Sequence, residues 1–464
     1  MYDIIFVGAG QSAIMGSYEA LRLNPNLKIL LIDKGLMWED RLEAVASKNK
    51  NTMSPIVYGV GGAGAFSDCK FNLDYRVGGD VFTIAGKTAV DSLIQHTVDL
   101  YKELGCTVEP VGGITNTEVS AIKKSCIENN VQLVDTLTMH LGTDGARDLY
   151  TLLINSIKEK NVEFATSAEW EDLIIEKEQL IGVEYSQNGE IKKAMGNKIV
   201  IAVGRSGASK MQEIAKKYTI NFEQGGVDVG VRAEIPDIVM QSINEHFYEA
   251  KMIYYTNKYK DKMRTFCSNP SGFVAVEKHT DGIVLANGHA YKNRKSTNTN
   301  LALLCTQSFT EPFNEPFEYA KSIARMSAML TGGKVLCQSY GDLVTHRRST
   351  EERLARLNIT PTTTDYVAGD ISLACPKRIL DNIIEFIEVH GKIAPGFASS
   401  DLLLYFPEIK FRSVRLKIDQ NMETSMKGLY VAGDSSGYGS GLNQAAVMGI
   451  LAVRHILGYE AETV

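Results

Sequence analysis

The sequence of 464 residues has few cysteines, and none of them lie close together. The seven cysteines occupy positions 69, 106, 126, 267, 305, 337 and 375, so the chain contains no C-x-x-C pair. This spacing argues against zinc ribbons and redox-active dithiol turns, and we expect no metal site. An odd number of scattered cysteines suits a reducing compartment, and we expect a cytoplasmic protein.

Long apolar runs and a basic charge balance are also missing. The first apolar stretch, residues 4–7, follows no basic segment, so we expect no secretory leader. No run approaches the roughly 20 apolar residues that cross a bilayer, so we expect no membrane association. The net charge of −6 gives no electrostatic reason to expect nucleic acid or an anionic membrane as a partner.

The chain does begin with the pattern of a β-α-β unit. Residues 4–7 are continuously apolar, which is typical of a strand buried on both faces of a parallel sheet. Gly8, Gly10 and Ala13 follow in a G-x-G-x-x-A turn, before a helical stretch and a second apolar run that ends at Asp33. This is the context in which such a turn binds a dinucleotide.

Each residue of the turn has a physical role in that interpretation. Gly8 permits the tight turn, Gly10 lets the backbone approach a pyrophosphate, and Ala13 lets the helix pack on the strand. The helix N-terminus offers free N–H groups to the phosphates. Asp33 accepts hydrogen bonds from ribose hydroxyls, and an acid there disfavours a 2′-phosphate, so FAD or NAD is favoured over NADP.

A second glycine-rich stretch follows at residues 59–64. Its bare backbone can pass close to a ligand, and its N–H groups can surround an anion. Ser67, Asp68 and Lys70 come directly after it, which favours ligand contact over the alternative of a flexible surface loop.

Two later segments complete the nucleotide half. A buried strand ends at Gly204, where the lack of a side chain suits a position beside a cofactor. Another strand ends at Gly433 and Asp434, and a helix over residues 442–456 follows. Its N-terminus either points at a ring that gains negative charge on reduction or simply packs in the core.

Together these segments resemble FAD-binding proteins with the glutathione-reductase-like flavin fold. More narrowly, the chain resembles a poorly characterised family of bacterial FAD-dependent dehydrogenases. The shared stretches are residues 61–68, 203–206, 264–270, 287–289, 296–300 and 407–411. The candidate residues for binding FAD are Gly8, Gly10, Gln11, Ser12, Ala13, Asp33, Lys34, Gly61, Gly62, Ala63, Gly64, Ser67, Asp68, Gly204, Gly433, Asp434, Leu442, Asn443 and Gln444.

We therefore predict an α/β chain of three segments. Residues 1–217 and 346–464 form a Rossmann-like FAD-binding domain with a three-layer, mostly parallel sheet. Residues 218–345 form an inserted, mostly antiparallel domain on the substrate side. Within it, Val227, Val229 and Val231 alternate with polar residues and glycine, which is typical of a half-buried strand.

The candidate catalytic residues, Arg264, Cys267 and Asn269, lie in the inserted domain, and we expect them on one short loop facing the flavin. Arg264 could clamp a carboxylate through two parallel hydrogen bonds. Cys267 is a nucleophile if its pKa is lowered, and otherwise a small buried residue. His289 is either a pocket residue or a residue that completes a turn.

The leading functional hypothesis is an FAD-dependent oxidoreductase that transfers a hydride between flavin and a small organic substrate, with an anionic substrate as one option. One alternative is an RNA-modifying flavoprotein, suggested by the basic and aromatic residues 254–262. Another is a non-catalytic electron-transfer flavoprotein. Because only one dinucleotide turn is evident, the electron partner is either NAD(P)H docking transiently or a protein. The sequence leaves open whether the protein forms a homodimer.

Overall fold

The computed structural model describes residues 1–47, 54–67, 69–223, 225–247, 250–278, 282–291, 294–310, 312–313, 315–411 and 414–459. The chain divides into two compact units. Unit 1 comprises Met1–Val111, Thr136–Glu223 and Ser413–Val464. Unit 2 comprises Gly112–Asp135 and Gln224–Arg412.

The chain contains both strands and helices along its whole described length. The strands are β1 Ile4–Val7, β2 Ile29–Ile32, β3 Lys70–Asn72, β4 Gln132–Val134, β5 Thr138–His140, β6 Val162–Ala165, β7 Ala168–Glu176, β8 Gln179–Gln187, β9 Glu190–Met195, β10 Ile199–Ile201, β11 Phe222–Glu223, β12 Val227–Pro236, β13 Lys251–Tyr255, β14 Lys262–Asn269, β15 Phe273–Lys278, β16 Val284–His289, β17 Asn298–Gln307, β18 Val335–Ser339, β19 Tyr366–Ala368, β20 Leu403–Phe411, β21 Arg415–Leu416 and β22 Leu429–Val431. The helices are α1 Gln11–Leu23, α2 Trp38–Ala46, α3 Phe82–Ala85, α4 Lys87–Glu103, α5 Thr117–Glu128, α6 Gly142–Lys158, α7 Ala208–Lys217, α8 Asp237–Asn244, α9 Pro316–Thr331, α10 Tyr340–Val344, α11 Glu351–Leu354, α12 Lys377–Ile393 and α13 Leu442–Ile456.

Unit 1 is built on a five-stranded sheet in the order β22-β10-β1-β2-β6, and all of its pairings are parallel. The side chains of β1 alternate between two cores. Ile4 and Phe6 pack in the core that contains α1 and α13, and Ile5 and Val7 pack in the core that contains the antiparallel sheet β7-β8-β9. This confirms the prediction of a strand buried on both faces and of a Rossmann-like region.

Helices α1 and α13 pack with their backbones almost in contact. A Cβ atom added at Gly449 would lie 2.0 Å from the carbonyl oxygen of Ser12, and one added at Gly16 would lie 3.1 Å from the carbonyl oxygen of Gly449. Larger side chains at either glycine would therefore push apart the two helices whose N-termini follow the two nucleotide-type turns.

Unit 2 is built on an eight-stranded sheet in the order β19-β18-β20-β12-β17-β14-β13-β4. Among the described residues of this sheet, only β18 and β19 pair in parallel. One face packs in a hydrophobic core with α8, α9 and α12, to which the valines of β12 contribute. We call the opposite face, which carries Asp228, Arg232 and Glu234 of β12, the polar face. β12 was expected to be half-buried, and this is wrong, because all three polar side chains are fully buried.

The bounds of unit 2 differ from those expected for the inserted domain. Strand β20 pairs with both β12 and β18, and β19 extends the same sheet, so the sheet runs well beyond residue 345. Strand β4 joins through β13, which brings Gly112–Asp135 into this unit. These pairings join segments far apart in sequence, and local periodicity does not reveal them.

In the part of the chain that the structure describes, every helix is too short or too polar to cross a bilayer. The same residues hold no cluster of three or more His, Cys, Asp and Glu side chains suited to a metal ion.

Candidate functional site

The first turn of unit 1 has the backbone that a dinucleotide requires. Gly8 adopts φ +100°, and a Cβ atom there would lie 2.3 Å from the carbonyl oxygen of Ala202. Gly10 caps α1 with extended backbone geometry, and no side chain caps the helix. The first N–H groups of α1 therefore have no side-chain acceptor and point where a phosphate would bind.

Asp33 braces this turn. One carboxylate oxygen accepts a hydrogen bond from the N–H of Ala9 and the other accepts one from the N–H of Gly35, each at 2.9 Å. Each oxygen has a second lone pair, so the carboxylate can still accept from a ribose hydroxyl. The ammonium group of Lys34 lies 4.2 Å from the centre of the Tyr58 ring.

The glycine-rich stretch is organised by Arg41, which is not among the predicted site residues. The side chain is fully buried. Its guanidinium donates hydrogen bonds to the carbonyl oxygens of Pro55, Ile56, Gly59, Val60 and Gly62, at 2.5 to 3.2 Å. Burial lowers the pKa of Arg41 to about 10, so the side chain stays charged at neutral pH. Its partners are backbone carbonyls, so no pattern of side chains in the sequence points to this role.

The loop that Arg41 holds abuts the first turn. The N–H of Gly61 donates to the carbonyl of Ala9 at 2.8 Å. Gly62 adopts φ +66°, and a Cβ atom on it would lie 3.0 Å from the Cα of Gly10. Two glycine backbones thus approach each other where a pyrophosphate would lie, which fits a dinucleotide.

The rest of this stretch is locally satisfied. Ala63–Phe66 form a 3-10 turn, and a Cβ atom at Gly64 would lie 2.4 Å from Cδ2 of Leu442. The hydroxyl of Ser67 donates to the carbonyl of Gly64 at 2.7 Å and accepts from the N–H of Cys69 at 3.1 Å. Asp68 lies outside the described residues.

The two later glycine turns differ in the space around them. Gly204 adopts φ +63°, and a Cβ atom there would have nothing within 4 Å. Gly433 adopts φ +71°, and a Cβ atom there would lie 2.5 Å from Oγ of Ser12. Asp434 accepts a hydrogen bond from Nε of Arg205 at 3.1 Å.

Gln11 is placed differently from the expected cofactor contact. Its amide nitrogen donates to the hydroxyl of Tyr101 at 2.6 Å, and its amide oxygen accepts from the hydroxyl of Tyr150 at 2.5 Å. The side chain therefore points into the core, and a contact to FAD through Gln11 would have to come from its backbone.

The N-terminus of α13 carries two buried side-chain amides, which differ in their hydrogen bonds. Gln444 donates to the carbonyl oxygens of Tyr75 and Val77, at 2.8 and 2.9 Å. Asn443 donates to the carbonyl of Asn72 at 3.0 Å, but its buried Oδ1 has no partner among the described residues. An orphaned acceptor is costly unless a ligand or water donates to it, so it fits a cofactor at this helix end.

The polar face of unit 2 holds a buried ion pair. Arg232 donates through Nη2 to Oε1 of Glu408 at 2.6 Å and through Nη1 to the carbonyl of Cys267 at 2.8 Å. Both charged side chains are fully buried. A Cβ atom at Gly288 would lie 2.3 Å from the amide of Asn300, so a glycine is needed to make room for this network.

Arg264 lies on the same face. Its Nη2 donates to Oδ2 of Asp228 at 2.7 Å, and Oδ1 of Asp228 accepts from Thr306 at 2.5 Å. The buried Nε of Arg264 has no partner among the described residues. The expectation that Arg264, Cys267 and Asn269 share a short loop is wrong, because all three belong to strand β14.

Cys267 lies at a bulge in that strand. The register of β14 against β17 shifts between Phe266 and Asn269, and Cys267 adopts φ +49°. Its carbonyl accepts hydrogen bonds from Arg232 and, at 3.1 Å, from Asn269. The structure thus gives the backbone of Cys267 a clear part in the polar network, and it brings Asn269 into the same network.

A second buried carboxyl lies further along the polar face. Glu234 accepts hydrogen bonds from Tyr405 at 2.6 Å, from Thr362 at 2.5 Å and from Asn298 at 3.0 Å. Burial raises the pKa of Glu234, and these donors act against that rise. His289 is exposed and packs edge-on against Tyr291, so it lies at the rim of this region.

The basic and aromatic stretch over residues 254–262 is largely engaged by α12. Asp381 accepts hydrogen bonds from both Lys258 and Tyr259 at 2.8 Å, and Glu385 accepts one from Tyr254 at 2.8 Å. These partners neutralise the charge of Lys258 and tie Tyr254 and Tyr259 to α12, which weakens the attraction of the stretch for RNA phosphates.

Comparisons with known proteins agree with the nucleotide interpretation. A family model described as "FAD-dependent protein, C-terminal domain-like" matches residues 226–410. An uncharacterised protein of Clostridium beijerinckii is 24% identical over 476 residues, covering 98% of this chain and 80% of that protein. With the cradle in unit 1, the family match confirms the prediction that the cofactor is FAD.

The solved structures that match show only a distant similarity. A variant of quinol fumarate reductase from E. coli is 14% identical, with a TM-score of 0.40, and covers 100% of this chain and 70% of that one. A 3-ketosteroid-Δ4-(5α)-dehydrogenase from Rhodococcus jostii RHA1 is 12% identical, with a TM-score of 0.45, and covers 98% and 96%. Likeness at this level transfers no reaction.

Proposed function

We propose that this protein is an FAD-dependent oxidoreductase that transfers a hydride between flavin and a small organic substrate. The observation that carries the proposal is the side-chain-free cradle in unit 1, where Gly8, Gly10 and Gly62 bring bare backbone together and Asp33 and Arg41 hold it in place. Such a cradle suits a bulky dinucleotide cofactor, and FAD supplies hydride chemistry when it is bound.

The residues of unit 1 divide the work of holding FAD. The N–H groups at the start of α1 bind the pyrophosphate, and the bare glycine backbone of the loop over residues 59–64 lets that loop lie close beside it. Asp33 accepts from the ribose, and Gly204 leaves space beside the cofactor. Oδ1 of Asn443, which is buried without a partner among the described residues, accepts from a cofactor N–H or O–H group.

Unit 2 supplies the substrate side in this proposal. Its polar face carries Arg264, which pairs with Asp228. The same face carries a network in which the carbonyl of Cys267 accepts from Asn269 and from Arg232, the partner of Glu408. Asp228 fixes Arg264 through Nη2, and the buried Nε of Arg264 has no partner among the described residues. An orientation held by buried partners is what aligns a substrate for hydride transfer.

The test is to add candidate substrates under anaerobic conditions and to measure reduction of the bound flavin as a loss of its absorbance. We expect at least one small organic donor to bleach the flavin, and Arg264→Lys to lower that rate by about tenfold or more because Lys lacks the planar fork. FAD content should stay unchanged. Arg325→Lys is the control, because Arg325 is half-exposed and lies 3.6 Å from Glu318. An unchanged rate in Arg264→Lys would remove Arg264 from the site.

A further inference from the structure

Three glycine turns of unit 1 meet at the carboxyl edge of its parallel sheet. Strands β22, β10 and β1 are neighbours in that sheet, and the turns at Gly433, Gly204 and Gly8 follow them. A Cβ atom on Gly8 would lie 2.3 Å from the carbonyl oxygen of Ala202, and one on Gly433 would lie 2.5 Å from Oγ of Ser12. The start of α1 is therefore bordered by the residues that follow β10 and β22.

Two charged residues come directly after these turns. Arg205 follows Gly204, and Asp434 follows Gly433. Both Nε and Nη2 of Arg205 lie 3.1 Å from Oδ2 of Asp434. Because Gly433 lies against Ser12, this ion pair is beside the first turn of α1, where the proposed function places the pyrophosphate of FAD.

The ion pair uses one edge of the Arg205 guanidinium. A guanidinium carries a planar fork of N–H donors, and Asp434 faces the edge formed by Nε and Nη2. Nη1 of Arg205 has no hydrogen-bond partner among the described residues. The side chain is 66% exposed, so a ligand can reach this second edge. Asp434 thus orients a cation without using all of its donors.

The pyrophosphate needs a cation beside this helix. The start of α1 supplies about half a unit of positive charge, whereas both phosphate groups of FAD are ionised at neutral pH. Two other cations of the cradle have their own contacts. Arg41 is buried and donates to backbone carbonyls, and Lys34 lies over the Tyr58 ring. Arg205 is accessible and still has donors to offer.

The negative charge of Asp434 gives the pairing a second purpose. A carboxylate next to a phosphate repels it. Arg205 neutralises this carboxylate through one edge of its guanidinium while the other edge stays available. Loss of Arg205 would therefore remove an attraction and uncover a repulsion at the same position.

We infer that Arg205 is a further cofactor-binding residue, whose Nη1 edge donates hydrogen bonds to the pyrophosphate of FAD. Asp434 is the residue that positions it. This inference rests on the FAD binding in the proposed function and assigns a contact within it. A guanidinium held in one orientation suits phosphate oxygens, because its fork can donate two parallel hydrogen bonds.

Titration of the FAD-free protein with FAD, followed by flavin fluorescence, tests the inference in Arg205→Gln. We expect FAD to bind about tenfold more weakly at low salt, because a charge-assisted contact is lost. Salt screens an accessible contact, so at about 1 M salt the difference should shrink to about threefold or less. Arg378→Gln is the matched control, because Arg378 is 55% exposed and holds Asp261 through the same two nitrogen atoms, at 2.7 and 2.6 Å.

A second readout reports on the pyrophosphate itself. At saturating FAD, the ³¹P resonances of the bound cofactor should shift in Arg205→Gln and stay in place in Arg378→Gln. Arg205→Lys should shift them too, because a lysine ammonium can hold Asp434 or the pyrophosphate but lacks the fork that holds both. The visible absorbance of the bound flavin shows that each variant is folded and loaded.

Equal FAD affinities of Arg205→Gln and the unaltered protein would overturn the inference, as would ³¹P resonances that stay in place in both Arg205 variants. A merely structural role would weaken binding equally at all salt concentrations. A protein that takes up no FAD would overturn the inference together with the proposed function. A protein that holds FAD through Arg205 but whose flavin no substrate reduces would refute the proposed function alone.

Discussion

Replacing Arg41 by lysine should destabilise unit 1 and weaken FAD binding together. The guanidinium reaches five backbone carbonyls of the stretch over residues 55–62 from three nitrogen atoms. A lysine ammonium has three donors on one atom, so at least two of these carbonyls would lose their partner. At about 1–3 kcal/mol for each buried group left unsatisfied, the variant should lose roughly 2–6 kcal/mol of stability.

The effect on FAD follows from the position of the loop. The carbonyls of Gly59, Val60 and Gly62 are among those held by Arg41, and the N–H of Gly61 contacts the dinucleotide turn. A loop that must be ordered at the moment of binding lowers affinity, and 1.4 kcal/mol of that cost corresponds to about tenfold in Kd. We expect FAD to bind Arg41→Lys about 10- to 100-fold more weakly.

Urea unfolding of the FAD-free protein and titration with FAD by flavin fluorescence measure the two effects separately. Arg22→Lys serves as the control, because Arg22 is partly exposed and its pairing with Glu19 at 2.8 Å is within reach of a lysine. A variant Arg41→Lys with unchanged FAD affinity would refute the positioning role, even if its stability fell.

Two further predictions concern buried groups of the two units. Asp33→Ala should lower both FAD retention and the free energy of unfolding, because the N–H groups of Ala9 and Gly35 lose their acceptor. The free energy of unfolding, measured by urea titration, should fall by about 2 kcal/mol. FAD release is measured by gel filtration, and full FAD retention would contradict the prediction. His390 is buried between Phe386 and Phe397, and burial lowers its pKa to about 4. Because its pKa is lower in the folded state, it costs stability as the pH falls from about 6.5 to 4, by up to about 3 kcal/mol. Urea titrations across this range should show that His390→Leu removes that loss, and an unchanged pH dependence would contradict the assignment.

The parts of the fold that local chemistry determines could be predicted from the sequence. Strands β1 and β2 and helix α13 begin and end where the apolar runs and glycine turns predicted. Those signals are local, because a strand of four apolar residues followed by Gly8 specifies its own end. The same is true of Gly204, whose positive φ follows directly from the turn.

The polar face of unit 2 could not be predicted in this way. Arg232 and Glu408 are 176 residues apart in sequence, and neither is recognisable as buried without the other. An alternating strand pattern normally means that one face meets water, and here the pairing of charges across β12 and β20 buries both faces. Arg41 escaped notice for a related reason, since its partners are backbone carbonyls, which carry no sequence signature.

The central claim, that FAD occupies the cradle of unit 1, is tested most directly by the flavin content of the purified protein. The protein should be yellow, and heat or acid should release about one FAD per chain, identified by mass spectrometry. A colourless protein that takes up no FAD when the cofactor is added would contradict the account.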